Sequence, residues 1–488
     1  MNDPIRRLSV VALVMILALM MSSSWIQVLG ASRLNEDPRN VRTLYREYGT
    51  FRGPIVVEGE SVVSSVPVDD PFNFQRTYAL GPVYAPVTGY YSIVYGRSGI
   101  ERTENTLLNG TSDSLFWTRM GNLFSGEQQA GASVELTLQA AVQQAAYDAL
   151  GDQRGAVVAL DPETGAILAM ASTPSYDPAV LASHSTSSVN EAYASLLADP
   201  NDPLINRSIA ETYPPGSTFK LVVTAAALEA GYTPETSVLA PDELALPNSS
   251  ATIKNYESES CTSDGTDRTT LAEALRISCN TAFAQIGMLL QWGVIERKAE
   301  AFGFGTSFEI PLLTAASQLP EDPDAAQTAQ SSIGQFDVRA TPLQMAMVAA
   351  AIANDGELMY PYLVDQVRTS SFSVVEEAEP RVFSSPMTAA DANTLTDMMV
   401  AVVDSGTGRN ARIDGVAVAG KTGTAETGLD TPAHSWFVAF APADDPQVAV
   451  AVLVENGGDV GSGGTGGRVA APIAKAVMEA ALAQAGGQ

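Results

Sequence analysis

The chain has 488 residues, 45% of them hydrophobic, which is enough for a large core spread over two or three domains. Its 27 basic and 55 acidic residues leave a net charge of −28, which would repel phosphate backbones and argues against nucleic acid as a partner. Two histidines and two cysteines leave no credible metal cluster, and His434 reads as a loop or surface residue.

Residues 1–32 open with Arg6-Arg7 and then a largely apolar stretch over 8–29. As a helix that stretch would span about 33 Å, enough to cross a hydrocarbon core of about 30 Å. The arginine pair favours an N-terminus in the cytoplasm and the rest of the chain outside. A cleaved signal peptide is the rival, with small residues at Leu29-Gly30-Ala31, but the stretch is longer than such a region usually is. The reading is an uncleaved single-pass anchor. Residues 33–131 mix charge, proline, glycine and short β-branched runs, with strands predicted at 52–57, 61–66 and 90–94. They form a small, β-rich, non-catalytic module next to the membrane.

From 132 to 488 the pattern is α+β. Helical spacing covers 135–150, and 156–160 and 166–171 read as a hairpin with a five-residue loop. Residues 174–202 read as a polar loop with some helix, and 459–467 as a flexible glycine-rich segment. Strands are expected at 435–442 and 447–454, with a last helix over 469–485. Strands at both ends with helices between predict an antiparallel sheet closed by the domain's termini and flanked by helices.

Ser217-Thr218-Phe219-Lys220 follows Tyr213-Pro214-Pro215-Gly216 and opens an all-apolar run, so a buried helix is predicted over 217–230. Serine and lysine three apart share one helix face. A buried ammonium is pushed towards the neutral amine, which can take a proton from a serine hydroxyl. A plain helix cap with a lysine reaching solvent is what most Ser-x-x-Lys tetrapeptides are, so this one alone does not establish a nucleophile. Of five lysines, at 220, 254, 298, 421 and 475, only Lys220 has a serine three residues before it. Ser278-Cys279-Asn280 follows a short predicted helix at 269–277, and Lys421-Thr422-Gly423-Thr424 follows the apolar 416–419. A second Ser-x-Asn, Ser188-Val189-Asn190, precedes Ser217 in what reads as a polar loop and is set aside. Ser-x-x-Lys, Ser-x-Asn and Lys-Thr-Gly in that order are the signature of penicillin-binding proteins and serine β-lactamases.

With these motifs the chain resembles a class B penicillin-binding protein of the short, single-anchor kind. The likeness extends to Arg52-Gly53-x-Ile55, Gly99-Ile100-Glu101, Val158-Ala159-Leu160-Asp161-Pro162-x-Thr164-Gly165, Asn206-Arg207, and Gly334-Gln335 followed by Thr341-Pro342-Leu343-Gln344. It departs at Val57-Glu58-Gly59, where the family usually has an Asp-Arg-Asn-Gly turn. The resemblance implies a peptidoglycan D,D-transpeptidase that β-lactams acylate, without a cofactor. Ser217 would be the nucleophile and Lys220 its base, Ser278 the proton relay, and Asn280 a contact to the substrate amide. Lys421 and Thr422 would hold the substrate carboxylate, and Gly423 would leave room for a peptide along the strand. The backbone N–H groups of Ser217 and Thr424 would form the oxyanion hole. Stem peptides and lipid-linked wall precursor would be substrates, and a membrane glycan polymerase the partner.

A D,D-carboxypeptidase, a β-lactamase and a non-enzymatic β-lactam sensor share the motifs, although anchor, extra module and short cytoplasmic tail favour the transpeptidase. No spare carboxylate is evident for hydrolysis of an acyl-enzyme; Glu426, the nearest in sequence, is expected on the rim of the cleft or beyond it. Gly334-Gln335 also fits an ordinary turn, Thr341-Pro342 a helix start and Asn206-Arg207 a surface pair. Tyr213 and Trp436 fit the cleft or the core equally. In an extracytoplasmic domain Cys261 and Cys279, 18 residues apart, are expected to pair, at about 3 kcal/mol on the loop-entropy model. Two free thiols are the alternative, with Cys279 then a small core residue.

Overall fold

The computed structural model describes residues 2–26, 48–116, 120–121, 130–256, 259–262, 266–428 and 431–486. Helix α1 (Asn2–Ser24) carries a stretch, Pro4–Ser24, of mean hydropathy 2.0 with none of its apolar window buried, long and apolar enough to cross a membrane. The end of the predicted span and the Leu29-Gly30-Ala31 site lie outside the described residues.

Strands β1 (Ile55–Val57), β2 (Glu60–Pro67) and β3 (Phe74–Tyr78) form an antiparallel meander. The strand expected at 90–94 shrinks to Tyr91–Ser92, paired with Gly96–Arg97 in a tight hairpin. A buried carboxylate holds this module together: Glu101 accepts from Arg52 Nε at 2.5 Å and from Arg76 Nε at 2.6 Å. Strand β4 (Ser133–Leu136) lies parallel to β1, with Ile55 beside Val134. The helix expected from 135 therefore begins later, as α2 (Ala140–Leu150). The reason is periodicity: Val134, Leu136 and Leu138 alternate into the core, a two-residue repeat that overrides the helical spacing. Glu58 caps α2, its carboxylate accepting the Ala140 N–H at 3.0 Å.

The predicted hairpin is present as β5 (Gly155–Leu160) and β6 (Ile167–Thr173). Helix α3 (Thr186–Ala198) contains Ser188-Val189-Asn190, which is thus helical rather than in a loop; Ser185 caps it by accepting the Ser188 N–H. A 3₁₀ turn, Gly216–Phe219, leads into α4 (Lys220–Glu229), buried from Lys220 to Leu228. Then come the small hairpin β7 (Glu243–Ala245) and β8 (Thr252–Lys254), and helices α5 (Leu271–Arg276) and α6 (Asn280–Leu290). Thr341 caps α7 (Pro342–Ala353), with proline at its first position, an ordinary helix start. Strands β9 (Val364–Arg368) and β10 (Val374–Glu377) extend the first sheet, giving the order β10-β9-β4-β1-β2-β3. Helix α8 (Ala389–Asp404) precedes β11 (Ala419–Ala425), β12 (His434–Ala441) and β13 (Val448–Val454), and α9 (Ala471–Ala485) ends the fold.

The second sheet runs β11-β12-β13-β5-β6, all antiparallel, so the last strands close on the first hairpin as the pattern predicted. Every residue of β5, β6, β12 and β13 is buried, because both faces are covered. Val157, Ala159, Phe437, Ala439, Val450 and Val452 share one cluster with α2 and α9. The alternate residues Val158, Leu160, Trp436, Val438, Ala449 and Ala451 belong to the larger core with α4 and α7. Strand β11 is the sheet's edge, and its outer side borders the cleft described next.

Candidate active site

Ser217 sits on a turn clamped from two sides. Trp436 Nε1 donates to the Pro214 carbonyl at 3.0 Å, and Gly216 N–H donates to the Gly334 carbonyl at 2.9 Å. Gly216 has φ +53°, and a side chain at Gly334 would come within 2.0 Å of the Gly216 oxygen. Gly423 serves the same clamp: a side chain there would press on the Pro215 carbonyl and Trp436 at 2.9 Å and on Thr218 at 3.0 Å. Its bare face thus lets β11 approach the serine turn.

Two lysines converge behind the serine, both with fully buried side chains. Lys220 Nζ donates to the Asn280 Oδ1 at 2.7 Å, to the Ser278 carbonyl at 2.8 Å and to the Ser278 hydroxyl at 3.3 Å. Lys421 Nζ donates to the same hydroxyl at 2.8 Å and to the Thr422 carbonyl at 2.9 Å. Ser278 Oγ therefore bridges the two amines. Among the described residues neither lysine has a carboxylate partner, and the Ser217 hydroxyl has no hydrogen-bond partner. Burial, reinforced by the neighbouring Lys421 charge, holds the Lys220 amine well below the usual lysine range. Burial alone pushes Lys421 down to about 7.

Ser278 owes its position to a helix ending. It has φ +64° and follows Ile277, the C-cap of α5; Cys279 N–H bonds back to the Ala274 carbonyl and Ser278 N–H to that of Leu275. That is a Schellman motif, whose left-handed position is normally glycine, so a serine there carries strain. Asn280 then begins α6, whose first N–H groups are capped from another part of the chain. Asn255 Oδ1 accepts from Asn280 N–H at 2.9 Å and from Thr281 N–H at 3.2 Å. The Lys254 carbonyl accepts Asn280 Nδ2 at 3.0 Å, which turns the amide oxygen to Lys220. Cys261 and Cys279 are bonded to each other, tying the segment after β8 to the same point.

Sequence reasoning missed Asn255, which no local spacing links to a motif more than twenty residues away. It also missed Thr407, whose hydroxyl lies 2.6 Å from that of Thr422. The bracketing glycines Gly406 and Gly408 were the available signal there. These groups surround a cleft of about 930 Å³ lined by Ser217, Ser278, Asn280, Thr422, Thr424 and Thr465 among others.

The model of the penicillin binding protein transpeptidase domain matches residues 155–479, and that of the penicillin binding protein A dimerisation domain matches 52–134. The chain is 46% identical to the peptidoglycan D,D-transpeptidase PbpA of Mycolicibacterium smegmatis over 491 residues, 99% of each chain. It is 44% identical to PbpA of Mycobacterium tuberculosis over 494 residues, again 99% of each. The chain belongs to the penicillin-binding protein transpeptidases. The solved structure of penicillin-binding protein A from M. tuberculosis as a ceftriaxone acyl-enzyme superposes with a TM-score of 0.87 at 43% identity, covering 90% of this chain and 100% of that one. Its penicillin G acyl-enzyme gives 0.85 at 43% identity, with 89% and 100% covered.

In this penicillin-binding protein several supporting residues lie elsewhere than expected. His434 is neither in a loop nor at the surface: it starts β12, 8% exposed, and its Nδ1 accepts the Asn456 N–H at 3.1 Å. Burial holds its pKa below the usual histidine value. Arg207 is fully buried, its Nε donating to Glu455 at 3.0 Å, so Asn206-Arg207 is not a surface pair. Buried Glu455 also accepts from Tyr213 at 3.0 Å and Arg154 at 3.1 Å, anchoring the segment that leads to Thr465 on the cleft wall. Tyr213 and Trp436 both pack into the core. Glu426 is exposed at the cleft mouth, as is Glu259.

Proposed function

We propose that this protein is a peptidoglycan D,D-transpeptidase working through a Ser217 acyl-enzyme. The observation that carries the reading is Ser278 Oγ shared between two buried lysines beside Ser217, along the edge strand β11 of the second sheet. Ser217 Oγ attacks the carbonyl between the two terminal D-alanines of a stem peptide, and its proton passes to the neutral Lys220 amine. Ser278 relays that proton to the departing amine as the C–N bond breaks and D-alanine leaves. Lys421 and Thr422 hold the substrate's terminal carboxylate, with Thr407 orienting the Thr422 hydroxyl. Asn280 contacts the substrate amide and fixes Lys220. The N–H groups of Ser217 and Thr424 form the oxyanion hole. The edge of β11 pairs with the peptide backbone as an added strand, its carboxylate end at Lys421. An amine from a neighbouring stem peptide then displaces Ser217 and completes the cross-link. β-Lactams, which present a strained amide and a carboxylate in the same arrangement, acylate Ser217.

Helix α1 anchors the protein in the membrane, and the transpeptidase domain works outside the cytoplasm, where lipid-linked precursor and a membrane glycan polymerase supply the strands to be joined. The carboxylates Glu259 and Glu426 stand at the mouth, away from the two lysines' hydrogen bonds, which supports acyl transfer over rapid hydrolysis. The test is incubation with a donor stem-peptide mimic and an amine acceptor. Transfer to the amine is expected; release of free acid alone, with the acceptor present, would contradict it.

A further inference from the structure

Phe336 differs from the rest of the cleft wall in backbone, packing and position. Its φ is +60°, a left-handed conformation that strains a bulky residue. Its side chain is partly exposed and joins none of the buried apolar clusters among the described residues, although Ile333 and Val338 on either side do. It lines the cleft that contains Ser217. Phe372, the other phenylalanine among the described residues with a left-handed backbone, is 81% exposed between β9 and β10 and lines no part of that cleft. A strained aromatic ring that adds nothing to the core has its use in what it meets inside the cleft.

Position indicates what that is. The Gly334 turn backs onto Gly216, and Gly216 abuts Thr424 and Ala425, where a side chain would come within 3.0 Å of both. The Gly334 turn thus adjoins the Thr424–Ala425 end of β11, and Phe336 follows it by two residues on the wall of the same cleft. A ligand paired antiparallel to β11 with its carboxylate at Lys421 runs its other end towards Ala425. On the transpeptidase reading above, we infer that Phe336 is a specificity-determining residue. It offers an apolar face to the side chain on the acyl side of the scissile bond: an aliphatic stem-peptide residue, or the acylamino group of a β-lactam.

The experiment uses the full-length protein and two probes, penicillin G and 6-aminopenicillanic acid, which share a nucleus but differ in the acyl side chain. Phe336→Gly should slow acylation by penicillin G about tenfold, leave 6-aminopenicillanic acid within about twofold, and not lower the thermal midpoint, since strain is relieved. Phe336→Leu should retain most of the preference. Donor peptides with an aliphatic residue or glycine before D-alanyl-D-alanine extend the same comparison to the peptide source. Equal losses on both β-lactams, or no loss on penicillin G, would overturn the assignment. Failure of both compounds to acylate the parent protein would instead overturn the transpeptidase reading, and this inference with it.

Discussion

Two buried charge clusters in this molecule meet the same desolvation cost in opposite ways. In the N-terminal module Glu101 is fully buried, yet Arg52 and Arg76 outweigh the burial and hold its carboxyl below the ordinary 4.5. The charge is kept because two guanidinium groups neutralise it. In the catalytic domain Lys220 and Lys421 are as deeply buried, but among the described residues no carboxylate pairs with either. There Lys220 meets the cost by losing its proton, which turns an inert ammonium into a base. Compensated burial makes structure; uncompensated burial makes reactivity.

The strongest break in that contrast is Lys220→Met, a similar length without the amine. Acylation of Ser217 by penicillin G should fall about a thousandfold, while the thermal midpoint holds or rises, because an apolar side chain suits that site better. Stopped-flow acylation and calorimetry on one preparation check both halves. A protein that unfolds without losing acylation would invert the contrast.

Next comes Glu101→Gln, which strands two buried arginines and should cost about 3–5 kcal/mol of stability while leaving the acylation rate of the folded fraction unchanged. The pH dependence sharpens the difference. Because Glu101 is held below its ordinary value, its contribution is intact above about pH 4.5 and is lost as pH falls through the lowered pKa. For Lys421 the unfolded chain binds more protons between about 7 and the ordinary 10.5, so stability rises with pH across that window. Denaturant midpoints measured from acid to alkaline pH in parent, Glu101→Gln and Lys421→Met proteins separate the two contributions.

Smallest is Asn255→Ala, which removes the cap on α6 at a cost of about 1 kcal/mol and should slow acylation about tenfold by loosening Ser278 and Asn280. Asn255→Asp, which keeps the accepting oxygen, should recover most of the rate. Equal rates in all three proteins would show that the disulfide alone fixes the motif.

How much of this was legible in the sequence follows from the range of the signal. Val157 to Leu160, Trp436 to Phe440 and the helix after Ser217 declared themselves through local runs of apolar residues, and the three motifs through local spacing. The strand at Ser133–Leu136 was misread because its partner is almost eighty residues away, at Ile55. Burial of Arg207 and His434 follows from Glu455 and Asn456, brought in by the last strand turn, and nothing near Arg207 in the chain announces it. Asn255 belongs to the same class: an ordinary loop asparagine until the fold sets it at the start of another helix.

The central claim is that Lys220 is a neutral amine at physiological pH, with Lys421 the cation that draws in the carboxylate. The pH profile of the second-order rate constant for penicillin G acylation of Ser217 tests it directly, since that constant reports the free enzyme's groups. The account predicts full activity by neutral pH and a descending limb starting near Lys421's value of about 7. A rate that keeps climbing towards pH 10.5, the ordinary lysine value, would mean that Lys220 is an unperturbed ammonium and would contradict the account.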